Sequence, residues 1–146
     1  MTAETGASST YHAVLTGRIV LLALEDAFVS RYVESVLLRA GAEVVGLASD
    51  NEPIAMQRHG YPVSACVVGS RHAAAICSRI TLCGELQPAL ILVDAERPET
   101  GPRHCETLAS PFAAHRIVAT ISHLLAESDA GAKAERPISE VTAEHV

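Results

Sequence analysis

The 146-residue sequence contains no tryptophan, and phenylalanine and tyrosine together make up only 3% of it. A stacking platform for bases or sugars needs several aromatic faces along one groove, and little is available to build it. The core must therefore be aliphatic. Positive charge is scarce too. Eleven Lys and Arg stand against seventeen Asp and Glu, a formal net charge of −6, so the positive field that phosphate backbones and anionic lipid require is missing. Nucleic acid and membrane are poor candidates as partners. No hydrophobic run approaches the ~20 residues that span a bilayer. Residues 1–16 have neither a basic start nor an apolar stretch of roughly 7–15 residues, and do not read as a signal peptide. The four cysteines (Cys66, Cys77, Cys83 and Cys105) form no C-x-x-C pair and stand at no zinc-finger spacing with histidine. They are expected to be reduced thiols of a cytoplasmic protein, buried as small apolar groups.

Motifs of nucleotide and acyl chemistry are missing as well. The sequence has no G-x-G-x-x-G, no P-loop and no G-x-S-x-G elbow. The loop after the first strand-like run, Glu25-Asp26-Ala27, is acidic where a phosphate or a flavin would have to sit. The chain is not expected to be an enzyme.

A balance of 49% hydrophobic to 19% charged residues is that of one soluble globular domain. Composition shifts bound it. Residues 1–16 are small and polar and residues 127–146 are charged with few large apolar groups, which predicts two tails around a folded unit of 17–126. Within that unit strand-like and helix-like patterns alternate. Arg18 to Leu24 is a continuous apolar run suited to a strand buried on both faces. Val29, Tyr32, Val33, Val36, Leu37 and Ala40 then recur at helical spacing and stop at Gly41. Ala42 to Gly46 predicts a second strand, Asn51 to His59 a short helix, Val63 to Val68 a third strand and Ala73 to Leu82 a helix. Pro88 to Val93 predicts a fourth strand ending on Asp94, and Cys105 to Ala109 a short fifth. Between these two lie Pro98, Gly101 and Pro102, so the fourth helix is expected to be stunted or missing. Ile117, Val118, Ile121, Leu124 and Leu125 form the apolar stripe of a last helix.

Parallel strands need crossover connections, so five strands alternating with helices imply an α/β, doubly wound, five-stranded parallel sheet. The flavodoxin-like order 2-1-3-4-5 is the common solution, and ligands of such sheets bind at the carboxyl ends of the strands. Here that edge holds Glu25, Asp26, Gly69, Val93, Asp94 and Ser110.

With the elements placed, the stretches RIVLLALEDAFVSRYVESVLLRAGAEVVG and SPFAAHRIVATISHLLA resemble the receiver domain of bacterial response regulators, over about residues 18–126. The resemblance implies a (βα)5 receiver fold and a cis peptide bond before Pro111. It also implies a phosphorylation site: an Asp nucleophile after the third strand, acids after the first strand holding Mg²⁺, a hydroxyl residue after the fourth strand and a Lys before Pro after the fifth. The acids are matched in kind by Glu25 and Asp26; Arg18 to Gly41 is one residue longer than usual, which leaves open which acid faces the pocket. The other three positions fall on Gly69, Val93 and Ser110, none of which carries the required group. The stretch PALILVDAERP also looks like a third strand ending on an acceptor, Asp94. Only fifteen residues separate Asp94 from Ser110, too few for the elements that would have to intervene, so Asp94 is placed after the fourth strand.

The expectation is a degenerate pseudo-receiver acting without phosphorylation, by binding a signalling protein such as a histidine kinase or another receiver, or a second copy of itself. No cofactor is required; Glu25, Asp26 and Asp94 are the candidate ligands for Mg²⁺. The outer face of the last helix, His115, Arg116, Ala119, Thr120 and His123, is the candidate interaction face. Of the seven histidines, His72 and His104 are expected near the functional edge. Two other readings are a small-ligand sensor in the space vacated at Gly69 and Ser110, and a receiver phosphorylated at Asp94.

Overall fold

A computed structural model describes residues 14–47, 56–83, 87–97, 102–113 and 115–129. The apolar runs form strands β1 (Ile19–Ala23), β5 (Ala65–Gly69) and β6 (Ala89–Val93), buried at every position. They are the three central strands of a five-stranded parallel sheet. Its edges are β2 (Glu43–Gly46) and β7 (Cys105–Leu108), and its order is β2-β1-β5-β6-β7. With the small hairpin described below set aside, this is the expected order 2-1-3-4-5. Alternate side chains go to opposite faces. Val20, Leu22, Val67 and Ile91 pack under α1 (Ala27–Arg39) and the last helix, α3, described over 115–129. Leu21, Cys66, Val68 and Leu90 pack under α2 (Ser70–Thr81).

The buried apolar core consists of aliphatic side chains and cysteines. None of the four described aromatic residues is buried: Phe28, Tyr32 and Tyr61 are exposed and Phe112 is half-buried. Burial pushes the thiols of Cys66, Cys77 and Cys105 above their ordinary range, so they stay protonated and inert.

The ends of α1 follow from its sequence. Asp26 is the N-cap, its Oδ1 accepting the N–H groups of Phe28 (2.8 Å) and Val29 (3.1 Å). At the other end Gly41 takes a positive φ of 95°. The Gly41 N–H donates to the Leu38 carbonyl and the Ala42 N–H to that of Leu37, the double closure that glycine makes accessible.

Two expectations are corrected. The predicted helix Asn51 to His59 is not formed over its described part. Gln57–Arg58 (β3) and Tyr61–Pro62 (β4) pair as an antiparallel hairpin, and residues 51–55 lie outside the described set. His59 (φ 55°) and Gly60 (φ 83°) both adopt the left-handed conformation a two-residue hairpin turn requires. The Arg58 guanidinium ties the hairpin to Glu43 on the edge strand β2. The helix predicted at Ala73 begins three residues earlier, directly on Gly69. Packing also reaches residues on either side of 17–126. Leu15 is fully buried and its N–H donates to the Ala40 carbonyl at 2.9 Å, while α3 continues through 129, where Asp129 meets Arg18 at 3.1 Å. Between β6 and β7, described residues 94–97 and 102–104 contain no helix.

Candidate functional site

The carboxyl ends of β1, β5 and β6 bring the predicted strand-end residues to one edge of the sheet, but into two separate arrangements. The first is built on Gly69. It ends β5 and is the N-cap of α2, and it offers no side chain to the free N–H groups of that helix. Glu25, on the loop after β1, supplies the missing acceptor. Its Oε1 takes the N–H of Arg71, the second residue of α2, at 2.8 Å. The carboxylate lies where a side chain at 69 would begin: a Cβ built on Gly69 would stand 2.5 Å from Glu25 Oε1 and 3.0 Å from its Cδ. The negative charge at the start of α2 is also favourable to the helix dipole. Glu25 and Gly69 are thus complementary, one carboxylate filling the space that one missing side chain leaves.

The second arrangement joins Asp94 to Ser110. Asp94 follows β6 with a φ of 53°, in the left-handed region that Asp tolerates better than most residues. Its N–H donates to the Leu108 carbonyl, and its Oδ1 accepts the N–H of Ser110 at 2.8 Å. The Ser110 hydroxyl and N–H hold the Asp94 carboxyl below its ordinary value. The contribution of this contact to stability is therefore complete above pH 3.8, the ordinary Asp value, and is lost as pH falls through the lowered folded one. We expect the Asp94 titration followed by NMR to move upward in Ser110→Ala. An unchanged midpoint would show that the hydroxyl does not hold the carboxylate. The Ser110–Pro111 bond is cis, as the resemblance implies.

Val93 separates the two arrangements and contributes nothing polar to either. Its side chain packs inside the core cluster under α1 and α3. The three candidate Mg²⁺ ligands are not brought together. Asp26 is committed to the N-terminus of α1 as its N-cap, Glu25 to the Arg71 N–H in the first turn of α2 and Asp94 to Ser110. Among the described residues no group of three or more His, Cys, Asp or Glu is placed to hold a metal ion. Each acid of the Glu25, Asp26 and Asp94 set is turned toward different backbone N–H groups.

The histidines divide. His72, the third residue of α2, lies near the functional edge, whereas His104 precedes β7 and so sits at the opposite, amino end of the strands. There its Nδ1 is 3.9 Å from Glu127, which His123 approaches at 3.3 Å. Along α3, His115, Arg116, Ala119 and His123 are exposed, while Thr120 is half-buried with its hydroxyl donating to the Arg116 carbonyl at 2.7 Å. A shallow groove of about 300 Å³ lies beside β7, lined by Asp94, Ala95, Glu96, Thr107, Leu108 and Ala109. It does not include Gly69. The Glu25 contact is the feature sequence reading missed; its signal was an acid after β1 together with a glycine after β5.

No protein-family model and no curated protein matches the sequence. Among solved structures the chain is similar to full-length FixJ from B. japonicum, with a TM-score of 0.57 at 14% identity, over 88% of this chain and 67% of that one. Among the described residues no helix is long and apolar enough to cross a membrane. The likeness to FixJ and the strand order β2-β1-β5-β6-β7 agree on one fold, the doubly wound, flavodoxin-like sheet of receiver domains.

Proposed function

We propose that this chain is a cytoplasmic receiver-like signalling module that works by binding a partner protein and takes no phosphoryl group itself. The observation that carries the reading is the Glu25 carboxylate seated against Gly69 and bonded to the Arg71 N–H. On the receiver resemblance, position 69 is that of the acceptor Asp. A glycine there supplies no nucleophile, and the space an acceptor side chain would need is taken by another anion. Val93 and Ser110 extend the same loss to the hydroxyl and lysine positions. The partner is a signalling protein such as a histidine kinase or another receiver. It docks on the exposed outer face of α3, at His115, Arg116, Ala119 and His123, with Thr120 at its margin. No metal or cofactor is needed for this activity, and the chain is not an enzyme.

Incubating the full chain with acetyl phosphate and Mg²⁺, followed by intact-mass analysis, tests the proposal. The expected result is an unchanged mass. A base-labile gain of one phosphoryl group would overturn it, and loss of that gain in Asp94→Asn would identify Asp94 as the acceptor. The ligand-sensor reading is not favoured, because Glu25 fills the space that Gly69 leaves.

A further inference from the structure

Aromatic side chains are the costliest apolar groups to leave in water, and this chain has five of them. Two lie one helical turn apart on α1, Phe28 at 82% and Tyr32 at 40% exposure, with Leu38 on the same helix at 53%. The helix buries Val33, Val36 and Leu37. Opposite them, Phe28, Arg31, Ser35 and Leu38 recur at the spacing of a helix-pairing stripe, all exposed. Glu34, also exposed, lies on the Arg31 flank of this stripe.

We infer that this outward face of α1 is a self-association surface, on which a second copy of the chain docks with its own α1 antiparallel about a two-fold axis near Val33. The stripe is complementary to itself in that orientation and in no parallel one. A two-fold axis brings the same flanks together. Phe28 of each copy then meets Leu38 of the other, near the two ends of the stripe. Arg31 of each copy lies between Glu34 and Ser35 of the other, and Ser35 is small enough for the backbones to approach. A parallel pairing would instead set Arg31 against Arg31 on the seam, which repel, and would leave the two Glu34 side chains on opposite flanks with no Arg31 to meet. The apolar ends supply the attraction, and the charge pairs fix the direction and register. One helix face is smaller than a standard interface, so the dimer is weak and concentration-dependent.

Sedimentation equilibrium of the full chain tests this, over a range from about 5 to about 300 µM, where weak interfaces populate both states. The expected weight-average mass of the wild type rises from monomer toward dimer. Arg31→Glu sets Glu against Glu at both symmetric contacts and Glu34→Arg sets Arg against Arg, so each variant alone is expected to stay monomeric. An equimolar mixture of the two variants places Glu opposite Arg at both contacts and is expected to recover association. A wild type that is monomeric throughout would overturn the inference, as would single variants that associate like the wild type. A mixture no better than its components would do the same, and recovery in the mixture excludes misfolding as the cause of the single-variant losses.

Discussion

Replacing Leu15 by Ala is expected to lower the free energy of unfolding by about 3 kcal/mol, a drop in melting temperature on the order of 10 °C. Leu15 has no solvent exposure and packs in the core cluster formed by α1, α3 and one face of the sheet. Truncating it removes three carbons from water-free contact and leaves a void that the surrounding strands cannot close. The backbone bond from its N–H to the Ala40 carbonyl is unaffected by the substitution, so the loss reports packing alone. Val14→Ala, at a neighbouring position with 43% exposure, is the control and is expected to shift stability by about 0.5 kcal/mol or less. A Leu15→Ala melting curve that overlays the wild type would remove this segment from the core.

The second effect is a coupling between Glu25 and Gly69. Glu25→Ala forfeits the acceptor at the start of α2 and is expected to lose about 1 kcal/mol. In Gly69→Asp the new Cβ would stand 2.5 Å from Glu25 Oε1, the far end of an exposed side chain, so the carboxylate swings aside and the Asp, at the N-cap of α2, takes over as acceptor with a second carboxylate beside it. Gly69→Asp alone is therefore expected to shift stability by about 1 kcal/mol or less. With the Asp in place Glu25→Ala no longer costs the cap, so the double variant is expected to be at least as stable as Gly69→Asp, a coupling of about 1 kcal/mol. Chemical denaturation of the four proteins measures it directly. Strict additivity would mean that Glu25 and Gly69 do not sense one another.

The elements that were legible in the sequence are those whose pattern is set by the core. Continuous apolar runs gave β1, β5 and β6 because both faces of those strands are covered. The apolar stripe and Gly41 gave α1, and Ile117 to Leu125 gave α3. The hairpin at 57–62 was missed because its signal lies in backbone conformation: a positive φ at His59 is not written in side-chain periodicity. Leu15 was read with a polar tail because one apolar residue among Ser, Thr and Gly carries no period. At the site, Gly69, Val93 and Ser110 were legible as residues at the carboxyl edge of the sheet. The fate of the remaining acids was not, since Glu25, Asp26 and Asp94 look alike in sequence and are separated only by which N–H group each one meets.

The Glu25–Gly69 contact also constrains how this chain can change. Any side chain at 69 has to displace the Glu25 carboxylate, and any shortening of Glu25 opens space beside the Gly69 Cα. What is tolerated at one position therefore depends on what stands at the other, so residues 25 and 69 are expected to vary as a pair across sequences that share this fold.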